Sequence, residues 1–315
     1  MRPTTLPALI EEYLAFRRGL GFSLETLAWQ LGNFARYAEQ VGHQGPITIE
    51  LAVGWASSGS NHPGSAARRL SAVRQLARYL ATLDPKTEVP PLGLLGGVPH
   101  HRQAHIYSDA ELSALLHQAS LLHPRNSLRP RTYVAFFSLL ASTGLRLSEA
   151  CALECADVDL DAGILTVRAG KFRKARLVPL HPSTTDALAR YAADSDACCK
   201  SGLAQRFFRT ERGALNPEAI EKTFSRIRQR LGWTAEGRTQ RPRVHDLRHS
   251  FAVRRLLAWY REGADLDRKV LALSMYLGHA KVSDTYWYLT GVPELMAIAA
   301  ERFERFACTE EGGGS

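Results

Sequence analysis

The sequence lacks most of what would place it in a membrane or in a disulfide-stapled scaffold. No stretch approaches the ~18–20 consecutive apolar residues of a membrane span. The opening residues MRPTTLPALIEEYL hold no apolar segment followed by a small-residue cleavage site, so secretion is not expected. The five cysteines (Cys151, Cys155, Cys198, Cys199 and Cys308) are odd in number and form no CxxC pair. Neither a disulfide framework nor a zinc site is indicated, and reduced thiols in a cytosolic protein are expected. His100, His101 and His105 lie close in sequence but bring no carboxylate or cysteine with them, so no metal site is expected there. No repeat of fixed period is present.

What the chain does have is positive charge. Forty Lys+Arg against 31 Asp+Glu give a formal charge of +9 and a pI near 9.5. That excess suits a polyanion, either nucleic acid or an anionic surface. With 315 residues, 45% hydrophobic and 23% charged, a folded chain of two domains is the natural expectation.

Residues 1–85 read as a helical domain. Helices are predicted over Pro7–Arg18, Leu24–Val41 and Ile49–Ala56. A fourth carries the stripe Leu70, Val73, Ala77 and Leu80, with Arg68, Arg69, Arg74 and Arg78 elsewhere on its surface. Residues 86–105 hold three of four clustered prolines, with glycines and no helical period, and read as a linker. The second domain, 106–307, opens with a capping-box pattern, Ser108-Asp-Ala-Glu111. Helices are predicted at about 132–142, 147–155, 183–193, 217–231, 246–262 and 267–277, with an amphipathic segment at 294–307. One β-region, Ile164–Val167 and Arg176–Val178, flanks a basic loop. Residues 308–315, ending Gly-Gly-Gly-Ser, read as a tail or linker remnant. The fold class is therefore mainly α with a small antiparallel β-sheet (α+β).

Metal-free phosphodiester transfer sets a definite requirement. Negative charge that builds on the non-bridging oxygens must meet fixed cations. Arginine suits this, because its planar fork donates paired, charge-assisted hydrogen bonds and stays protonated. A nucleophile and a proton donor for the leaving oxygen are also needed. The second domain contains such a set, in order: Thr143-Gly-Leu-Arg146-Leu-Ser-Glu149; Gly170-Lys171 on the β-hairpin; His245-Asp-Leu-Arg248-His; Leu277-Gly-His279; and Tyr288 nine residues on. Singly, each has an ordinary explanation: a helix-start arginine, a solvated loop lysine, a capping histidine. Together they would need five coincidences.

These five segments resemble the signature of the tyrosine recombinases, the phage integrase family, and the resemblance covers the whole second domain. The first four helices are similar to that family's core-binding domain, including an L-S-A-V-R pattern at Leu70–Arg74. The resemblance implies that Arg146 and Arg248 clamp the scissile phosphate and that Lys171 protonates the departing 5′-oxygen. It implies that His245 assists proton transfer at the tyrosine and that His279 hydrogen-bonds the phosphate or braces the pocket. Tyr288 would attack phosphorus to give a 3′-phosphotyrosyl link, without metal, ATP or other cofactor. Glu149 would orient neighbours rather than act as a base. Tyr288 is preferred to Tyr286 because its offset from His279 is the family's. Lys171 is preferred to Lys174 because it opens the hairpin turn after glycine. The run Asp284-Thr-Tyr-Trp-Tyr-Leu-Thr resembles integrases of bacterial transposons and other mobile elements more than the Xer branch.

The resemblance further implies double-stranded DNA held between two domains. Arg68, Arg69, Arg74 and Arg78 would face the duplex from one domain, and Arg173, Lys174, Arg241 and Arg243 from the other. Most such contacts would go to phosphates. A homo-tetramer on DNA, linked by the C-terminal segment and assisted by accessory recombination proteins, is expected in the bacterial cytoplasm at the nucleoid, away from membranes. No additional N-terminal arm-binding domain is evident. The competing readings are a type IB topoisomerase-like enzyme, a decayed and purely DNA-binding protein, and a metal-dependent phosphodiesterase using His245 and Asp246.

Overall fold

A computed structural model describes residues 5–22, 24–59, 63–96, 104–168, 175–198, 206–234, 241–279, 281 and 285. Lys171, Arg173, Lys174, Tyr286, Tyr288 and the segment 294–307 lie outside the described residues. The chain divides into two compact units, Met1–Arg102 and Gln103–Ser315.

The first unit is a bundle of α1 (Leu6–Gly19), α2 (Glu25–Gln40), α3 (Ile49–Ser58) and α4 (Pro63–Leu80). Each helix turns one stripe inward. Tyr13 and Leu14 of α1, Phe34 of α2, Trp55 of α3 and Val73 and Leu76 of α4 meet in one core. Thr48 caps α3 by accepting from Leu51 N. The proline-rich stretch after α4 lies against this unit. Glu88 N donates to Ile47 O, the Glu88 carboxylate accepts from Ile49 N, and Leu95 packs on the core.

In the second unit, α5 (Asp109–Ser120) starts with the complete capping box of Ser108 and Glu111. Its neighbour α6 (Leu128–Thr143) is buried nearly all round, with Phe136, Phe137, Leu139 and Leu140 pointing in several directions. A helix apolar on every side belongs at the centre of a domain. Each fully buried Phe contributes roughly 1.5–3 kcal/mol by removal from water. Gly144 ends α6 at φ 64°, and its N–H donates to Leu140 O. The short α7 (Leu147–Ala152) follows, shorter than its predicted span, and the chain then tightens into a 3₁₀ turn at Cys155–Asp157.

A three-stranded antiparallel meander comes next: β1 (Val158–Asp159), β2 (Ile164–Val167) and β3 (Arg176–Pro179). Leu165 pairs with Val178, both inward, and Val167 pairs with Arg176 at the end that leads into the basic loop. Helix α8 (Pro182–Cys198) is followed by a second hairpin, β4 (Arg209–Thr210) and β5 (Gly213–Ala214), where the sequence predicts no strand. Strand β4 is held on α6 by a hydrogen bond from Thr132 Oγ1 to Arg209 O. Helix α9 (Pro217–Arg230) is capped by Asn216, and α10 (Asp246–Arg261) and α11 (Leu266–Leu277) form a pair around Val253, Leu256 and Leu273.

Candidate active site

Three chain turns and one strand build the site. Arg146 sits at the N-terminus of α7, immediately after the turn made possible by Gly144. A Cβ at Gly144 would lie 2.6 Å from Phe251 Cδ1, and φ is positive, so both space and backbone require glycine. Arg146 Nη1 donates to Glu149 Oε1 (2.7 Å), its backbone N to Glu149 Oε2 (3.0 Å), and Nη2 to Gly278 O (2.7 Å). Arg248 reaches the same place from the first turn of α10. Its Nη1 donates to Gly144 O (2.7 Å) and its Nη2 to Leu277 O (2.8 Å). The two arginines, 102 positions apart in the numbering, thus hang on neighbouring carbonyls at the end of α11.

Glu149 is almost fully buried (side chain 2% exposed). Burial works against its charge, but hydrogen bonds from Arg176 and Arg146 outweigh that and hold the carboxyl below its ordinary range. Arg176 was read from sequence only as part of the hairpin. Its partners come from elsewhere: Glu149 (3.0 and 2.8 Å, bidentate) and Tyr276 O (2.8 Å). Only the alternation of β3 hinted that its side chain shares the inward face of Val178, two residues on.

His245 begins α10 and keeps solvent access. Its surroundings, first through desolvation and then through the Arg248 charge, lower its pKa and favour the neutral ring. A neutral imidazole beside two arginines is suited to accept a proton. The buried His249 stands edge-on to it, ring centroids 4.9 Å apart, with its pKa lowered to about 3 by burial and by His245. His279 follows the positive-φ Gly278 and makes a 2.7 Å hydrogen bond through Nδ1 to the buried Thr285 Oγ1. Arg146, His245, Arg248 and His279 therefore converge, with Glu149 behind them.

Residues 108–292 match the phage integrase family. The chain belongs to that family. It is 41% identical over 308 residues to a putative integrase/recombinase, y4rB, of Sinorhizobium fredii, covering 96% of this chain and 98% of that one. It is 30% identical over 281 residues to the tyrosine recombinase XerD of Brucella abortus, covering 87% and 84%. The fold is that of the Tn1549 transposon integrase, solved with transposon right-end DNA: TM-score 0.70 at 17% identity, over 96% of this chain and 99% of that one. This tyrosine recombinase is accordingly an enzyme of site-specific DNA strand breakage and rejoining.

The arginines expected on DNA fall into two groups in this recombinase. Arg68, Arg78 and Arg241 are exposed. Arg69 is half-buried and its guanidinium lies 5.3 Å from the Trp55 ring. Arg74 requires correction: only 8% exposed, it donates from Nε to Pro90 O and from Nη2 to Pro91 O, both 2.7 Å, and so fastens the proline-rich stretch to α4. Arg243 is also engaged, with Nη2 2.8 Å from Asp246 Oδ1. That side-chain hydrogen bond, against the cost of burial, raises its pKa. Its carbonyl accepts from Tyr107 Oη (3.0 Å), which anchors the start of the second unit on α10. Among the described residues no helix is long and apolar enough to cross a membrane, and no cluster of His, Cys, Asp or Glu is arranged to hold a metal ion.

Proposed function

We propose that Tyr288 is the nucleophile of this recombinase and that the convergent side chains serve it in defined roles. Arg146 and Arg248 neutralise the non-bridging oxygens as the pentavalent phosphorus forms. His245 accepts the phenolic proton, and the Tyr288 oxygen bonds to phosphorus as the 5′-oxygen leaves with a proton from Lys171. His279, steadied by Thr285, donates to the phosphate. Attack by a 5′-hydroxyl of a second duplex then reverses these transfers and frees the tyrosine. The phosphotyrosyl bond conserves the energy of the phosphodiester, so no nucleotide is consumed. Convergence of Arg146 and Arg248 on adjacent carbonyls of one helix end is the observation that carries this reading.

Double-stranded DNA is gripped through phosphates by Arg68, Arg78 and Arg241, with Arg173 and Lys174 on the hairpin loop adding charge. Four protomers assemble on paired sites, and residues 294–307 pass to a neighbour with Leu295, Ile298, Phe303 and Phe306 as the apolar side. On a plasmid with two sites, the wild-type chain should give recombinant circles in the presence of EDTA. Relaxation of supercoils without recombinants would instead favour a topoisomerase. Deleting residues 294–315 should abolish synapsis and leave single-site binding. Full recombination by the truncated chain would remove the C-terminal segment from the assembly.

A further inference from the structure

A carboxylate offers about four lone-pair sites, and in Glu149 all four meet an N–H. Oε1 receives Arg146 Nη1 and Arg176 Nη1, and Oε2 receives the Arg146 backbone N and Arg176 Nη2. The end of α11 shows the same sharing. Gly278 N donates to Met275 O and His279 N to Ser274 O, a C-terminal motif that needs the left-handed Gly278. The next three carbonyls, Tyr276, Leu277 and Gly278, accept from Arg176, Arg248 and Arg146 in turn. The negative end of the helix dipole thus faces three guanidiniums. A Cβ on Gly278 would come within 2.7 Å of Arg176 Nη1, so the fit at Arg176 is close as well as polar.

Arg176 is 12% exposed, half as open as Arg146 at 24%. It completes a ring that runs Arg146, Glu149, Arg176, the end of α11 and back to Arg146. We infer that Arg176 is a positioning residue for strand cleavage. It aims Arg146 at the scissile phosphate by fixing Glu149 and the α11 terminus, without touching DNA. This rests on the reading of Arg146 and Tyr288 given above. The rival role is also built into the geometry: Arg176 pairs with Val167 where the loop bearing Lys171 begins, so it could act through the proton donor instead.

Substrate chemistry separates the two. Single-turnover cleavage of a nicked suicide duplex is measured for wild type, Arg176→Lys, Arg176→Gln and Glu149→Gln on three scissile linkages. One is the natural phosphate. The second is a methylphosphonate, in which a methyl group replaces a charged non-bridging oxygen, so there is less charge for Arg146 to meet. The third carries a 5′-bridging sulfur, whose thiolate leaves without needing a proton. On phosphate, misplacing Arg146 by about an ångström should slow the variants by ~10²-fold with DNA affinity unchanged. On methylphosphonate the gap to wild type should close, and on bridging sulfur it should persist.

A gap of equal size on all three linkages, or one closed by sulfur, overturns the inference; so does full-rate cleavage of phosphate by Arg176→Lys. Arg176→Lys keeps the charge and most of the stem, and loss of folding in it as well as in Arg176→Gln would make Arg176 a purely structural residue. Absence of any adduct with wild type would point instead to failure of the nucleophile assignment.

Discussion

In the first unit Arg68 and Arg78 stand in solvent on α4, whereas in the second Arg146, Arg176 and Arg248 are tied to shared acceptors at one helix end. The same side chain therefore does two jobs. An exposed arginine supplies charge that follows the phosphate backbone and is screened by salt. A guanidinium held by a buried carboxylate or by helix-terminal carbonyls has already lost its rotamer freedom, and can meet charge in the transition state without reorganising. Variants of the tethered Arg146, Arg176 and Arg248 should accordingly act on rate, and those of the exposed Arg68 and Arg78 on affinity.

The sharpest break of that contrast would come at Arg248, which is 3% exposed. Arg248→Ala should lower the single-turnover cleavage rate by ~10²–10³-fold, as loss of a fixed transition-state donor does elsewhere. It should also lower stability by roughly 1–3 kcal/mol, because the Gly144 and Leu277 carbonyls lose a buried partner. A rate within tenfold of wild type would mean that Arg248 serves the fold rather than the reaction. Next in size, Gly144→Ala should cost at least about 2 kcal/mol in urea unfolding, from the left-handed backbone and the contact with Phe251. An unchanged midpoint would show that the turn before Arg146 is not constrained as described.

The helices of both units were legible from apolar period and caps, and α5 and α9 begin at their predicted capping residues. Strands β1, β4 and β5 were not, because two residues carry no readable alternation and their pairing is tertiary. The site was legible where motif residues are contiguous, as in Thr143–Glu149 and His245–His249. Arg176 was missed because its acceptors lie 27 and 100 positions away. Arg74 was misread for a related reason. It lies off the apolar stripe of α4, and nothing local indicates that Pro90 and Pro91, which carry no N–H of their own, turn their carbonyls toward it.

Acidity gives a smaller, graded effect specific to the second unit. His249 has its pKa lowered to about 3, and His245 is shifted the same way. The His249 ring stays neutral in the folded chain while the unfolded chain takes up a proton there near pH 6.5. Stability from His249 is therefore complete above about pH 6.5 and falls as pH drops toward 3, with a slope of up to ~1.4 kcal/mol per pH unit. Urea melts between pH 7 and 5 should show a shallower decline for His249→Phe than for wild type; parallel curves would contradict the buried neutral ring.

The smallest expected effect sharpens the contrast within the first unit. Arg68→Ala and Arg78→Ala should each reduce the slope of log affinity against log salt by about 0.9. Arg74→Ala should leave that slope unchanged and lower thermal stability instead, as its guanidinium is spent on Pro90 and Pro91. Equal salt slopes for all three variants would erase the distinction.

The most direct test is to trap the covalent species on a nicked suicide duplex, digest it and find the residue that carries the nucleotide. Wild type and Tyr286→Phe should yield a 3′-phosphotyrosyl peptide containing Tyr288, and Tyr288→Phe should yield none. A Tyr288→Phe chain that still captures DNA, or a nucleotide mapped to Tyr286, would contradict the account.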